Sequence, residues 1–279
     1  LIMTLLIGAI IVVGQLTEVP KLNLLIMTLV SVVVVLFYSN KSAIKNDAGW
    51  GAMKYQQLIY GMLAIFIYVG VEVTIDNNFG ALLKNPGYIT ELGLDESEIS
   101  KYISLYWGSL MIGRWTGAVS VFNLKGNMKK LMMIVVPFIA FAVVLGVSKI
   151  YGNDVSDLYG YAVFIVIAIA TFFYGQEKPV KTLFAVSIFA TAAMLVGVFT
   201  TGITSVYAFM AGGLACSVMW PCIFSLGVGG LGKYTSQGSA FLIMMILGGA
   251  IIPPLQGVLG DNPSVGMHQS YILAAVCFA

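Results

Sequence analysis

The sequence is poor in charged residues. Only 9% of its 279 residues are Asp, Glu, Lys or Arg, whereas 59% are hydrophobic and the mean hydropathy is +0.95. An ordinary soluble domain carries roughly 25% charged residues. So few charges cannot cover a globule in water, and in lipid only helices and closed barrels satisfy their own backbone groups. The apolar runs are long and lack the alternation of barrel strands. We therefore expect an all-α, polytopic transmembrane helix bundle.

The residue types that most enzymes and metal sites need are also scarce. The chain has one histidine, His268, and three cysteines, Cys216, Cys222 and Cys277, whose odd number and spacing fit no zinc motif. The sequence contains neither a P-loop nor the pattern of a Ser/His/Asp triad, so we expect neither an enzyme nor a bound cofactor. The lysines lie in short loops rather than in one patch, which argues against a nucleic-acid partner.

Long apolar segments separated by short polar loops predict the membrane spans. The first segment starts at Leu1 and the last stops at Ala279. Both are shorter than the roughly 20 residues that a span needs, so we expect both ends of the chain to be incomplete. The predicted spans are residues 1–16, 22–39, 57–82, 102–123, 131–150, 159–175, 183–201, 205–228 and 239–259 and a final segment from residue 271.

The loops predict the orientation of these spans. Lysines are concentrated in every second loop, and most acidic residues lie in the other loops. The side of a membrane protein that is richer in Lys and Arg is cytoplasmic. The pattern therefore predicts a multi-pass protein of the cell's inner (plasma) membrane, surrounded by the lipid bilayer. The lysine-rich loops contain Lys41, Lys45, Lys54, Lys125, Lys129, Lys130, Lys178, Lys181 and Lys233.

Two acidic residues lie inside a predicted span, where a charge is expensive and therefore points to function. Glu72 and Asp76 are four residues apart and share one helix face, and Asn77 and Asn78 follow directly. Carboxylates and amides bind sugar hydroxyls, and a carboxylate within a span can carry a proton. We predict that Glu72, Asn77 and Asn78 bind substrate and that Glu72 and Asp76 are candidate proton sites. The alternative is that Glu72 only pairs with another helix and that Asp76 lies at the outer interface.

Three further side chains lie within predicted spans. Arg114 either reaches the interface or pairs with an acid across the bundle. Trp220 lies in the middle of its span, and Gln256 lies in the next one. We predict that both bind substrate, because aromatic rings stack on sugar faces and amides hydrogen-bond to hydroxyls. Helix packing or a place in an interfacial belt is the alternative for each of them.

Several short motifs lie between residues 68 and 257. Residues 68–73 read YVGVEV and residues 113–117 read GRWTG. A longer block reads WPCIFSLG at residues 220–227, LG at 231–232, GSAFL at 238–242, GGA at 248–250 and PLQG at 254–257. These motifs resemble the seventh, eighth, tenth and eleventh spans of the fucose–galactose–glucose:proton symporter family, which belongs to the major facilitator superfamily.

The resemblance implies the C-terminal lobe of a two-lobed membrane protein. Residues 1–39 would end the N-terminal lobe with spans five and six, truncated at the start. Residues 40–56 would form a cytoplasmic inter-lobe linker, and residues 57–279 the C-terminal lobe from span seven to the start of span twelve. The family has one span between the eighth and the tenth, whereas residues 131–201 contain three predicted spans. We therefore expect an inserted hairpin of helices within about 131–201.

The resemblance also implies a function. It implies secondary active, proton-coupled uptake of a monosaccharide of the fucose, galactose or glucose type, by a protein that is a monomer when intact. The family's proton-coupling acids lie in its first and fourth spans, which are not in this chain. Two alternatives stay open, because a fold does not fix a function. They are a facilitator of another small metabolite and a membrane sensor or interaction protein that has lost transport.

Overall fold

The computed structural model describes residues 2–85, 87–88, 92, 98–119, 122, 126–175 and 178–279. The all-α prediction is confirmed, because the described residues form helices, turns and loops without a strand. The helices are α1 (Ile2–Leu16), α2 (Lys21–Lys45), α3 (Gln56–Leu83), α4 (Ile99–Ala118), α5 (Gly126–Ile150), α6 (Ala162–Gly175), α7 (Pro179–Phe199), α8 (Gly202–Val228), α9 (Thr235–Met244), α10 (Gly248–Gly260), α11 (Gly266–Ser270) and α12 (Ile272–Phe278). Short 3₁₀ turns cover Gly51–Lys54, Ser156–Tyr161, Gly232–Tyr234 and Met245–Leu247.

Length and composition make the described part of the chain a multi-pass membrane protein. Seven of its helical segments are long and apolar enough to cross a membrane. Helix α4 has 20 residues but is not among the seven, and it is a less apolar helix that carries both Lys101 and Arg114. The seven segments are Lys21–Lys45, Gln56–Leu83, Gly126–Ile150, Ser156–Gly175, Pro179–Phe199, Gly202–Val228 and Gly232–Gly260.

The helix ends differ from the predicted spans where packing extends or interrupts a helix. Helix α2 continues to Lys45, past the predicted end at Ser39, because Asn40 is buried and its Nδ2 donates to the carbonyl of Met53 at 2.7 Å. The span predicted at 239–259 is divided by the 3₁₀ turn Met245–Leu247. The predicted end of the fourth span at Asn123 and the loop residue Lys125 lie outside the described residues.

Helix α8 is the centre of the bundle. It packs against α3, α4 and α7, and α3 packs in turn against α10. Small residues along α8, including Ala211, Gly212 and Ala215, let the neighbouring helix backbones come close where lipid supplies no hydrophobic drive. The closest approach between α3 and α10 is at Gly248, where an added Cβ would lie 1.8 Å from the carbonyl oxygen of Phe66.

The two ends of the bundle are built differently. We call one end the cavity end; it contains the C-terminal halves of α4 and α8 and the N-terminal half of α7, around an open cavity. We call the other the sealed end; it contains the N-terminal halves of α4 and α8 and the C-terminal half of α7. There, side-chain hydrogen bonds join the helices to one another and to the loops.

Candidate functional site

A cavity of about 860 Å³ lies between α3, α4 and α8 at the cavity end, with α5, α6 and α7 closing one side. Most of its wall is apolar, from residues such as Val69, Val218 and Phe172. Ligand pockets are typically of this size and character, with a few polar groups that fix orientation. The polar and aromatic side chains along the wall are Tyr68, Glu72, Arg114, Thr116, Thr182, Ser217 and Trp220.

A carboxylate–guanidinium pair forms the charged part of the cavity wall. Oε1 of Glu72 on α3 lies 3.6 Å from a terminal guanidinium nitrogen of Arg114 on α4. The Glu72 side chain is 12% exposed and the Arg114 side chain is 55% exposed, so Glu72 is held at the wall while Arg114 reaches into open space. Tyr68 lies one turn before Glu72 on the same helix and borders the cavity beside it. The hydroxyl of Tyr106 donates to the backbone carbonyl of Glu72 at 2.6 Å and so ties α4 to α3 at this level.

The position of Glu72 is compatible with both of its alternatives, and its binding of substrate or a proton stays a prediction. It pairs with another helix, and it also lines the cavity. The pairing of Arg114 with an acid across the bundle, which was one of its two alternatives, is confirmed. A charge pair at a cavity wall keeps hydrogen-bonding capacity for a ligand, because a carboxylate has about four acceptor sites and a guanidinium five donors.

Aromatic rings form the floor beside this pair. The ring of Trp220 lies 6.2 Å from the ring of Tyr68, tilted by 56°, and stacks on Phe224 at 6.2 Å and 20°. Trp220 is partly buried and borders the cavity together with Pro221. A carboxylate, a guanidinium and hydroxyls next to an indole face are a set that binds a polar ring with one apolar face.

The other predicted site residues lie away from the cavity lining. Nδ2 of Asn78 donates to Oε1 of Gln256 at 2.8 Å, and Nε2 of Gln256 donates to Oγ of Ser270 at 3.1 Å. Gln256 is fully buried, so this chain of amides joins α3, α10 and α11. Asn77 is exposed, and Asp76 is partly buried. Their binding of substrate or protons stays a prediction.

Some cavity residues carried no sequence signal. Ser217 faces Gly113, where an added Cβ would lie 1.7 Å from Oγ of Ser217, so the α4–α8 contact brings this hydroxyl to the wall. Thr182 lies near the start of α7, in the segment expected to be an insertion. A hydroxyl in an apolar helix is common, and only the packing of the helices places these two beside Glu72 and Arg114.

Comparisons with known proteins agree with this architecture. No protein-family model matches the chain. It is 28% identical over 240 residues to the glucose/galactose transporter of Brucella abortus (strain 9-941), which covers 86% of this chain and 44% of that protein. It is 33% identical over 109 residues to the L-fucose-proton symporter of Escherichia coli, covering 39% of this chain and 25% of the symporter. The chain thus spans about half the length of the Brucella transporter.

A solved structure shows the same fold. The crystal structure of the E. coli fucose:proton symporter (N162A) matches with a TM-score of 0.53 and 21% identity, over 81% of this chain and 41% of that one. The chain therefore has the fold of a polytopic helical membrane protein, with a cavity between its helices. These relatives confirm the resemblance of the chain to the fucose–galactose–glucose:proton symporter family of the major facilitator superfamily. The relatives are named as transporters rather than as enzymes.

Proposed function

We propose that this chain supplies half of the substrate site of a secondary active transporter that takes up a monosaccharide of the fucose, galactose or glucose type together with protons. The observation that carries the proposal is the cavity in which Glu72, Arg114, Tyr68 and Trp220 converge. The named activities of the sequence relatives support the sugar as substrate and, for the L-fucose-proton symporter, the proton as coupled ion.

Each cavity group has a distinct role in this proposal. The Glu72 carboxylate accepts hydrogen bonds from sugar hydroxyls, and the exposed part of Arg114 donates to ring and hydroxyl oxygens. Trp220 stacks on the apolar face of the sugar. Substrate would bind near the bilayer midplane between two lobes that rock around it, as in other transporters of this architecture.

The Glu72–Arg114 pair also offers a link between protons and sugar. With Glu72 ionised, part of the hydrogen-bonding capacity of Arg114 is used by the carboxylate 3.6 Å away. With Glu72 protonated, that ionic attraction is lost and Arg114 becomes free to bind the sugar. Ionisable groups in spans are typical of such proton relays. The proposal assigns Glu72, and secondarily Asp76, to this role.

We also propose the domain organisation that the family resemblance implies. Residues 1–39 would end the N-terminal lobe, 40–56 would link the lobes, and 57–279 would form the C-terminal lobe. Three helices, α5 to α7, lie between α4 and α8, and this supports an inserted hairpin within about 131–201. All three line the cavity, through Met133, Phe172, Pro179 and Thr182, so the insertion would form part of one side of the site.

Uptake of radiolabelled fucose, galactose and glucose tests the proposal. The full-length gene product is reconstituted in vesicles, and Glu72→Gln is compared with Asp154→Asn. Asp154 is a matched control, because it is an exposed acid in a loop turn far from the cavity wall. We expect at least about a tenfold loss of uptake for Glu72→Gln, the loss of one charged hydrogen bond, and no change for Asp154→Asn. Equal uptake by the two variants would remove Glu72 from the site.

Collapse of the pH gradient tests the coupling separately. We expect concentrative uptake to fall to simple equilibration when an ionophore removes the gradient. Uptake that ignores the gradient would instead indicate a facilitator. Sugar binding without any uptake by a well-folded protein would indicate a transport-inactive sensor.

A further inference from the structure

The sealed end contains the only histidine of the sequence, and its contacts do not fit a neutral ring. Nε2 of His268 lies 3.0 Å from the carbonyl oxygen of Val198, and Nδ1 lies 2.6 Å from the hydroxyl of Tyr88. The same hydroxyl lies 2.7 Å from Oγ of Ser205, which donates to the carbonyl of Gly197 at 2.8 Å. Four contacts of hydrogen-bonding length therefore run in series from one backbone carbonyl of α7 to the next.

Counting hydrogens decides the protonation state of this chain of contacts. Each contact needs one hydrogen between its two heavy atoms, and the two carbonyl oxygens at its ends can only accept. A neutral imidazole, the hydroxyl of Tyr88 and the hydroxyl of Ser205 supply three hydrogens for four contacts. With a neutral ring, one pair of oxygen or nitrogen atoms would face each other through lone pairs alone. An imidazolium ring supplies the fourth hydrogen, and every contact then has one donor and one acceptor.

The backbone of α7 favours the same charge. Gly197 and Val198 lie in the last turn of α7, where helix carbonyls lack partners within the helix and carry a partial negative charge. Cations are stabilised at this position. His268 is only partly buried, so the ring keeps some contact with solvent and its charge need not be fully desolvated.

Aromatic rings lie against the imidazole of His268 on two sides. The ring stacks on Tyr88 at 5.7 Å and meets Phe209 of α8 edge-on at 5.8 Å. Among the described residues, Tyr88 is the titratable side chain in contact with the His268 ring. Of the elements that pack around it, α8, α10 and α12 carry no charged residue, and α3 carries Glu72 and Asp76. The only charged residue of α7, Lys181, lies at its opposite end.

We propose that His268 is a proton-binding site whose imidazolium form fastens α7, α8, α11 and the segment at Tyr88 to one another. The site is separate from the sugar cavity. Thr182 lines the cavity and Gly197 belongs to the His268 site, and both lie on α7. They are 15 residues apart and thus about 22 Å apart along the helix axis. Release of the proton removes one of four hydrogen bonds and so loosens the sealed end. The proposal does not depend on which substrate the cavity takes.

Nuclear magnetic resonance of the ring tests the proposal directly. Because the sequence has one histidine, ¹⁵N-histidine labelling of the chain in lipid nanodiscs gives one pair of ring signals. We expect both nitrogens to carry hydrogens at pH about 7.5, as the count of hydrogens over the four contacts requires. A ring that is neutral at that pH in the wild-type chain would overturn the proposal.

Ser205→Ala supplies the decisive variant, because Ser205 touches neither ring nitrogen. Without the hydroxyl of Ser205, the hydroxyl hydrogen of Tyr88 can point to Nδ1, and a neutral ring then satisfies both of its contacts. We expect the proton affinity of the ring to fall at least about tenfold, with a neutral ring bearing its hydrogen on Nε2 at pH about 7.5. Thr200→Ala is the matched control, since Thr200 also caps α7, at Val196, but lies outside the chain of contacts. Unchanged ring protonation in Ser205→Ala would contradict the hydrogen count.

Tyr88→Phe keeps the test decisive if Ser205→Ala does not fold. It removes the acceptor of Nδ1, so the same loss of proton affinity is expected, and Ser205 keeps its bond to Gly197. Folding of each variant is checked by its helical circular dichroism and its elution as a single species. A Tyr88→Phe ring that stays doubly protonated at pH about 7.5 would count against the proposal.

Discussion

Helix α4 carries one cation near each end, and the two are treated in opposite ways. Lys101, at the sealed end, is 4% exposed; its Nζ lies 3.0 Å from Asp157 and 3.5 Å from Glu98. Arg114, at the cavity end, is 55% exposed and has Glu72 at 3.6 Å. The sealed-end cation is enclosed by protein partners, whereas the cavity-end cation keeps donors for something else. A charged side chain in a membrane helix thus points to a structural role when protein groups surround it, as for Lys101. It points to ligand binding when some of its hydrogen-bond donors remain exposed, as for Arg114.

The tyrosine hydroxyls of the sealed end are likewise bonded to protein groups. Tyr102 donates to the carboxylate of Asp157, and Tyr207 donates to the backbone carbonyl of the same residue. Tyr161 is fully buried, with Ser109 at 2.7 Å and the carbonyl of Met210 as its acceptor. Such networks hold helices in one arrangement, while the cavity end leaves polar groups available.

The largest effect is expected at the α3–α10 contact, and it tests how closely these two helices pack. In Gly248→Ala the new methyl would lie 1.8 Å from the carbonyl oxygen of Phe66. The atoms that it would meet are backbone atoms, which cannot turn away as a side chain can. The helices must separate, so we expect the free energy of unfolding to fall by about 3 kcal/mol. Thermal unfolding in detergent measures it. Gly257→Ala on the same helix meets no atom within 4 Å and serves as the control. Equal unfolding midpoints would contradict the close contact.

The next effect concerns the enclosed cation. Lys101→Met leaves Asp157 without its cation in a site where water has limited access, and we expect a loss of about 2 kcal/mol of stability. Lys149→Met, at the exposed end of α5, removes a lysine that faces solvent and should change stability little. Denaturant titration in detergent compares the two. If Lys101→Met matched its control, the sealed end would not depend on this charge.

A smaller effect separates structure from binding at Gln256. Gln256→Leu leaves the amide of Asn78 and the hydroxyl of Ser270 without their shared partner, so we expect a loss of about 1–2 kcal/mol of stability. Exposed Gln15→Leu is the control. Sugar affinity of the full-length gene product is measured in parallel. A tenfold loss of affinity with unchanged stability would support the prediction that Gln256 binds substrate and would weaken its role as a helix connector.

The smallest effect lies outside the spans, where Asp47 joins the segment before α3 to the turn after α8. Hydrogen bonds from Tyr234 and from Lys54 hold the pKa of Asp47 below its ordinary value of 3.8. A lowered folded-state pKa stabilises the ionised, folded form above the unfolded pKa, and this contribution disappears as pH falls through the folded pKa. We therefore expect no change in this contact between neutral pH and about pH 4, and its loss below that.

Carboxyl ¹³C shifts of Asp47 measure that midpoint. Tyr234→Phe removes the larger of the two causes and should move the midpoint back toward 3.8. A midpoint at or above 3.8 in the wild-type chain would show that the two bonds do not persist in solution.

Much of the fold follows from local sequence. Apolar runs of about 20 residues fix where helices cross lipid, because each span must satisfy its backbone internally. The helical segments 57–82 and 205–228 were predicted to within a few residues of α3 and α8. The local pattern did not predict that α2 continues through Asn40, whose side chain makes a long-range contact. It also did not predict the 3₁₀ turn Met245–Leu247, which divides the span expected at 239–259.

The candidate site was accessible from sequence only in part. A charged residue inside an apolar segment can be recognised from the sequence alone, so Glu72 and Arg114 were identified as candidates. Their pairing depends on how α3 and α4 face each other, which no local pattern encodes. Asn78 and Gln256 carried the same polar signal as Glu72, yet their amides contact each other instead of the cavity.

The sequence by itself determined that this chain is a helical membrane protein, since its hydrophobic residues leave no other way to satisfy the backbone in lipid. It also marked which few polar residues needed an explanation. Tertiary structure alone decided which of them line a cavity and which close the opposite end. Hydrogen bonds and ion pairs act over about 3–4 Å, and that proximity arises only when distant helices pack together.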